Sequence, residues 1–297
     1  MMRLKIFIGL LFLQLMSFAA VPHIAIGNSS KYQRLADYTQ TTILNTISNL
    51  PEYLRSGTDT IRIRIVSTSA EFRAVTGTDL PYWVGAVTLF PQDLIVLRSP
   101  DLSKSTLREY RTTVGHELVH YMQGQLVPLN LTPVWFNEGL ALYFPGEFGL
   151  SERVLVSKVL WRPRLIPLNG IERMMQFSHP RAELAYAESG SAVEFLDVVY
   201  GSETFLRIFD SMRGGLSFDR ALSLAIENEE VDFESQWQKY LAQRYNWIFL
   251  LDIQNILWLI IPVLALVAYV SIRRRNKKKL RQWNVEEANE SNDEENI

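Results

Sequence analysis

The sequence predicts an α+β fold: a small mixed sheet with helices in its first half, a helical second half, and one transmembrane helix near the C-terminus. Three observations predict it. Strand-type patterning is confined to residues 61–97, helical periodicity covers 31–50 and nearly everything from Ser103 onward, and residues 256–270 form a run without a charge.

The elements follow in order. Residues 1–20 combine a short positive start (Arg3, Lys5), an apolar run from 6 to 16 and the small residues Ser17 and Ala19, the pattern of a signal peptide cleaved after Ala19. The run is short for the alternative, an uncleaved anchor, which needs roughly 20 residues to span. In 31–50, Leu35, Tyr38, Ile43, Ile47 and Leu50 recur near a 3.6-residue period and Pro51 ends them, which predicts a helix. Ile61-Arg62-Ile63-Arg64-Ile65-Val66 alternates apolar and basic residues, a half-buried strand whose arginines face solvent. Ser69 begins a short helix that stops near Gly77. Residues 82–89 and 94–97 read as two further strands around Pro91-Gln92-Asp93. One long helix runs from Ser103 to about Gln125, and helices and turns follow from Pro133.

The run at 256–270 (ILWLIIPVLALVAYV) is followed by a block in which seven of the nine residues 273–281 are Lys or Arg. This is a stop-transfer pattern. Residues 255–272 would make about 27 Å of helix against roughly 30 Å of hydrocarbon, residues 247–251 can extend the stretch, and Pro262 is tolerable in a membrane span. The positive-inside rule places the basic block in the cytoplasm. The expected organisation is a signal peptide at 1–20, an extracytoplasmic domain at 21–246, a membrane-interface segment and transmembrane helix at 247–272, and a basic-then-acidic disordered tail at 273–297. That is a single-pass type I protein of the cell membrane.

Composition narrows the chemistry. The formal net charge is −2, and residues 21–272 hold 21 Lys/Arg against 26 Asp/Glu, so there is no electrostatic reason to expect a nucleic-acid partner. The chain has no cysteine, which excludes disulfides, thiolate metal sites and a cysteine nucleophile. An exported domain without cysteine fits a bacterial envelope better than a disulfide-forming secretory pathway. Nothing in the pattern fixes an oligomeric state. Any metal must be held by histidine and carboxylate, and there are four histidines.

Two of these stand in His116-Glu117-Leu118-Val119-His120, inside the long helix. Residues four apart lie on one helical face, so both imidazoles can reach one ion while Glu117 projects beside them toward a metal-bound water. Two histidines merely packed on a helix are the competing reading. The stretch 133–143 (PVWFNEGLALY) then places Glu138 18 positions after His120 among apolar residues, where a carboxylate is costly unless it meets a cation. His23 and His179 fall outside the pattern and read as surface or loop histidines.

These residues resemble the gluzincin metallopeptidases, the thermolysin and aminopeptidase N group, whose first helix bears H-E-x-x-H and whose second bears an N-E-G/A-type third ligand. The overall plan is similar to compact, membrane-anchored peptidase MA-like proteins. The resemblance covers roughly residues 60–245 and is strongest at 112–143. It implies a zincin-like catalytic domain, Zn2+ held by His116, His120 and Glu138, Glu117 as general base, and Asn137 as outer-sphere support. Tyr186, in Tyr186-Ala187-Glu188-Ser189-Gly190, is similar to the tyrosine that donates a hydrogen bond to the developing oxyanion, although one extra residue precedes the glycine and the lysine is lacking. Gly85-Ala86-Val87-Thr88-Leu89 resembles the substrate-binding edge strand of the same group, which makes Gly85, Ala86 and Val87 the expected substrate contacts. Aminopeptidases carry there a glutamate that grips the free amino terminus, and this chain has Thr88. The resemblance thus implies an endopeptidase acting on a peptide or protein. Two other readings compete with it: a catalytically inactive, metal-stabilised module that binds a peptide or protein at the membrane, and a tethered scaffold in which the motif is accidental. The intact Glu117 argues against the first, because a pure binder needs no base, and the scaffold requires no stoichiometric metal.

Overall fold

The computed structural model describes residues 22–27, 32–55, 60–81, 84–160, 165–227 and 233–294. Four strands, β1 (His23–Gly27), β2 (Thr60–Val66), β3 (Ala86–Leu89) and β4 (Leu94–Arg98), form one sheet in the order β1-β2-β4-β3. The first three in that order are parallel, and β3 lies antiparallel at the edge. In β2, Ile61, Ile63 and Ile65 are buried while Arg62 and Arg64 are exposed, so the period-2 alternation does separate core from solvent. The short β1, absent from the expectation, is a five-residue strand with half-buried side chains, too weakly patterned to be read from its sequence.

Parallel pairing needs crossovers, and helices supply them. α1 (Gln33–Asn49) and the single turn α2 (Glu52–Arg55) join β1 to β2, and α3 (Ser69–Thr76) follows β2. Phe72 of α3 packs with Val66 and Val96 on one face of the sheet. On the other face, α1 meets the long helix, where Thr39 Oγ1 and Tyr110 Oη are 2.8 Å apart. The N-terminal segment is therefore built into the core. The expected helix from Ser103 resolves into a single turn, α4 (Pro100–Ser103), and α5 (Leu107–Leu126). Lys104 between them has a φ of 54°, and Thr106 starts α5 by a reciprocal capping box with Glu109.

The second half is helical: α6 (Val134–Tyr143), α7 (Leu150–Leu160), α8 (His179–Tyr200), α9 (Glu203–Arg213), α10 (Phe218–Ala225) and α11 (Phe233–Arg244). Its core is aromatic, with Phe136 against Phe218 (ring centroids 4.8 Å) and Trp135 stacked on Phe233 (5.4 Å). Backbone approach sets the α6–α8 contact. A Cβ on Gly139 would stand 2.4 Å from the Ser189 carbonyl oxygen and 2.6 Å from Val193 Cγ2, so only glycine lets the two helices pass at this distance.

At the C-terminus, α12 (Ile253–Glu294) runs without a break through the apolar stretch and into the charged tail, which was expected to be disordered. The tail is rich in Glu, Lys and Arg, strong helix formers that extend a helix already nucleated upstream. Among the described residues no helix is long and apolar enough to cross a membrane. Of the expected span, the side chains at 255, 257 and 259 lie outside the described set, and Ile260 through Ile272 are exposed. The expected signal peptide, within residues 1–21, also lies outside the described residues.

Gly139→Ala should force α6 and α8 apart and destabilise the fold by about 1–3 kcal/mol. A thermal unfolding midpoint equal to that of the unsubstituted chain would contradict this packing.

Candidate metal centre and cleft

α5 carries His116 and His120 one turn apart, and their Nε2 atoms are 3.1 Å from each other. α6 packs across α5 and delivers Glu138, whose Oε2 is 3.2 Å from His116 Nε2 and 3.5 Å from His120 Nε2. Ligands at 2.0–2.1 Å on one face of a tetrahedron stand about 3.3–3.4 Å apart. The three edges bracket that value, and with two imidazoles, one carboxylate and no thiolate the residues fit zinc. The three residues expected to hold a metal are thus brought together, although 22 positions separate His116 from Glu138.

Electrostatics ties the same three groups. Burial would push the Glu138 carboxyl up, but His120 and His116 beside it hold it well below the usual carboxylate range. Burial would likewise depress His120, and the charge and hydrogen bond of Glu138 outweigh it, so the imidazole holds its proton more tightly than usual. A second carboxylate, missed in the sequence, stands behind His116. Gly146, with a φ of 80°, turns the chain after α6, and the Glu147 amide closes on the Leu142 carbonyl at 3.1 Å. Glu147 Oε2 comes within 4.0 Å of His116 Nδ1, while its Oε1 is buried without a hydrogen-bond partner. Burial pushes its pKa up to about 8. Metal-bound histidines commonly donate their second ring N–H to such a carboxylate. The only hint in the sequence is an acid set in a Pro-Gly-Glu-Phe-Gly turn just after the Glu138 helix.

Glu117 is half-buried, and its Oε2 accepts a hydrogen bond of 2.8 Å from Thr88 Oγ1 on β3. Tyr186, contributed by α8, places its ring centroid 6.3 Å from that of His116. The charge of Glu138, then burial, then Glu117 raise its pKa, so the phenol remains a donor at neutral pH. Asn137 also lines the cleft. Its amide is bonded to Gln123, Thr132 and the Leu129 carbonyl, so it braces α6, which carries Glu138, against α5 and the intervening loop.

Gly85, Ala86 and Val87 line a cleft of about 500 Å³ together with His116, Glu117, His120, Glu138 and Tyr186. Their backbones do not all face it. The Gly85 carbonyl accepts from the Arg98 amide at 2.9 Å, and with Val87 opposite Val96 the antiparallel alternation directs the N–H and C=O of Gly85 and Val87 into the sheet. Those of Ala86 and Thr88 point outward to the cleft. A peptide pairing with this edge would meet the backbone of Ala86, one of the three expected contacts, and that of Thr88. His23 and His179 are exposed and do not join the group of His116, His120 and Glu138, and His179 pairs with Glu183 near the start of α8.

Two outcomes follow from these charges. Glu138, depressed below 4.5, contributes stability above about pH 4.5, and His120, raised above 6.5, contributes stability that is lost as pH rises through its folded value. The metal-free full chain should therefore exceed its His120→Ala variant in melting temperature most between about pH 4.5 and 6.5, and the gain on adding zinc should grow from pH 6 to 8 as the His120 imidazole loses its proton. A metal-free difference that widens above pH 7 would contradict the pairing. Glu147→Gln should weaken zinc affinity by roughly 10- to 100-fold in competition titrations with a chromophoric chelator. Unchanged affinity would remove Glu147 from the support of His116.

Residues 56–243 match the model of the Peptidase MA superfamily. No curated protein matches the chain closely enough to serve as a relative. The matched segment covers more than half of the sequence and contains both the helix with the two histidines and the helix with Glu138, so the chain belongs to the Peptidase MA superfamily and carries a zincin-like metallopeptidase domain.

Proposed function

We propose that this protein is a zinc-dependent endopeptidase of the gluzincin type, anchored by one C-terminal span with its peptidase domain outside the cytoplasm. The observation that carries the catalytic part is the triangle of His116, His120 and Glu138, with Glu117 beside it on the same cleft. A bound zinc supplies Lewis acidity and makes a water acidic enough to lose its proton near neutral pH. The remaining work falls to the chain. Ala86 and Thr88 hold an extended peptide by backbone pairing on the edge of the sheet. Glu117 takes the proton of the attacking water and later passes it to the departing amine. The Tyr186 phenol donates to the scissile carbonyl oxygen as negative charge gathers there.

Preference for internal bonds is supported by β3, which turns a hydroxyl to the cleft at Thr88 where an acid would be needed to hold a free amino terminus. Anchoring is supported by the uncharged, exposed stretch Ile260–Ile272 and by the basic block that follows it. An apolar helical surface of that kind finds its partner in lipid. The positive-inside rule then puts the tail in the cytoplasm and the domain on the opposite side.

Glu117→Gln tests the mechanism. The variant and the unsubstituted protein should each bind one zinc per chain, and the variant should lose cleavage of a labelled casein by a factor of about 100 or more. Near-normal cleavage with zinc bound would reject Glu117 as the base, and a chain that takes up no zinc would reject the metallopeptidase reading as a whole.

A further inference from the structure

Thr88 makes a contact that an edge strand does not require. Its hydroxyl lies 2.8 Å from Glu117 Oε2 and 3.2 Å from the Glu117 backbone oxygen. A threonine has one proton to give, and the carboxylate is the stronger acceptor. The direction of the side chain follows from the strand. Val87 and Leu89 pack on the far face of the sheet with Val66, Phe72 and Val96, so the alternation turns Ala86 and Thr88 toward α5. The same alternation points the Thr88 backbone N–H and C=O into the cleft.

We propose that Thr88 is the positioning residue for the general base. Its hydroxyl occupies Glu117 Oε2, which leaves Oε1 as the oxygen that accepts the proton of the attacking water. In that step the water O–H bond breaks and its proton goes to Oε1, the water oxygen bonds to the substrate carbonyl carbon as the C=O π bond breaks and its electron pair moves onto the carbonyl oxygen, and Thr88 keeps its own proton throughout. Because the backbone of Thr88 also faces the substrate, one residue sets both the docked peptide strand and the base that acts on it. The inference rests on the proposed role of Glu117.

The test compares the zinc-loaded full chain with T88V, which keeps the shape and removes the hydroxyl, and T88S, which restores it. Steady-state cleavage of labelled casein, zinc content and crystal structures of all three are measured. T88V should lower kcat roughly 10- to 100-fold, as expected for loss of one hydrogen bond to a charged group. KM should stay within about twofold, zinc should remain bound, the Glu117 carboxylate should leave its place, and T88S should recover kcat. Unchanged kcat in T88V, a loss confined to KM, or no recovery in T88S overturns the proposal. If the unsubstituted zinc-loaded chain does not cleave casein, the peptidase reading fails separately. The crystal structures then still decide, because a Glu117 carboxylate that keeps its place in T88V overturns the positioning role.

Discussion

Glu138 sits in a helix whose other faces are buried against aromatic and aliphatic side chains, so its charge can be met from one direction only. Trp135, Phe136, Leu140 and Ala141 fill the core around it, and Gly139 presses α6 against α8. An ionised carboxylate in such surroundings is tolerable only with a cation at close range. α5 supplies one in two forms, since the imidazoles of His116 and His120 can carry a proton or hold a metal. The crossing of α5 and α6 is thus fixed twice, by the apolar packing behind Glu138 and by the positive charge in front of it.

The remaining parts of the cleft are placed by elements that have other duties. α5 is tied to α1 through Tyr110 and to the sheet through Tyr121, whose hydroxyls reach Thr39 and the Thr60 carbonyl at the start of β2. This seats Glu117 against the edge strand. α8 meets Gly139 at Ser189 and Val193 and presents Tyr186 from the same face about a turn earlier, so the helix that permits Glu138 to approach α5 also brings the phenol to the centre. A metallopeptidase site assembled in this way draws its geometry from the core and needs no dedicated loop for its ligands.

What the sequence disclosed follows from the range over which each signal acts. The two histidines and Glu117 are legible because the i, i+4 rule is local to a helix, and Glu138 because a lone acid in PVWFNEGLALY has no apolar explanation. The central strands were legible through alternation in β2. Glu147 was not, because its approach to His116 depends on the left-handed turn at Gly146. The bond between Thr88 and Glu117 depends on strand register, which no short window contains. Asn137 is placed near the ligands by resemblance, and its hydrogen bonds to Gln123 on α5 and to the loop that follows depend on the crossing of α5 and α6, which no short window contains. The continuation of α12 into the charged tail was also hidden, since high charge density and strong helix propensity coexist there and point opposite ways.

The junction between the domain and α12 has little slack. Tyr245 and Ile248 are buried, Ser157 Oγ donates to the Tyr245 carbonyl and accepts from the Phe249 amide, and Lys158 pairs with Asp252 immediately before the helix begins. A tether of glycine and serine would let the domain tumble around its attachment point. Here the last turns of the chain before α12 are clamped to α7, so the cleft is aimed, and whatever fixes the axis of that long helix also fixes the direction from which a polypeptide can enter.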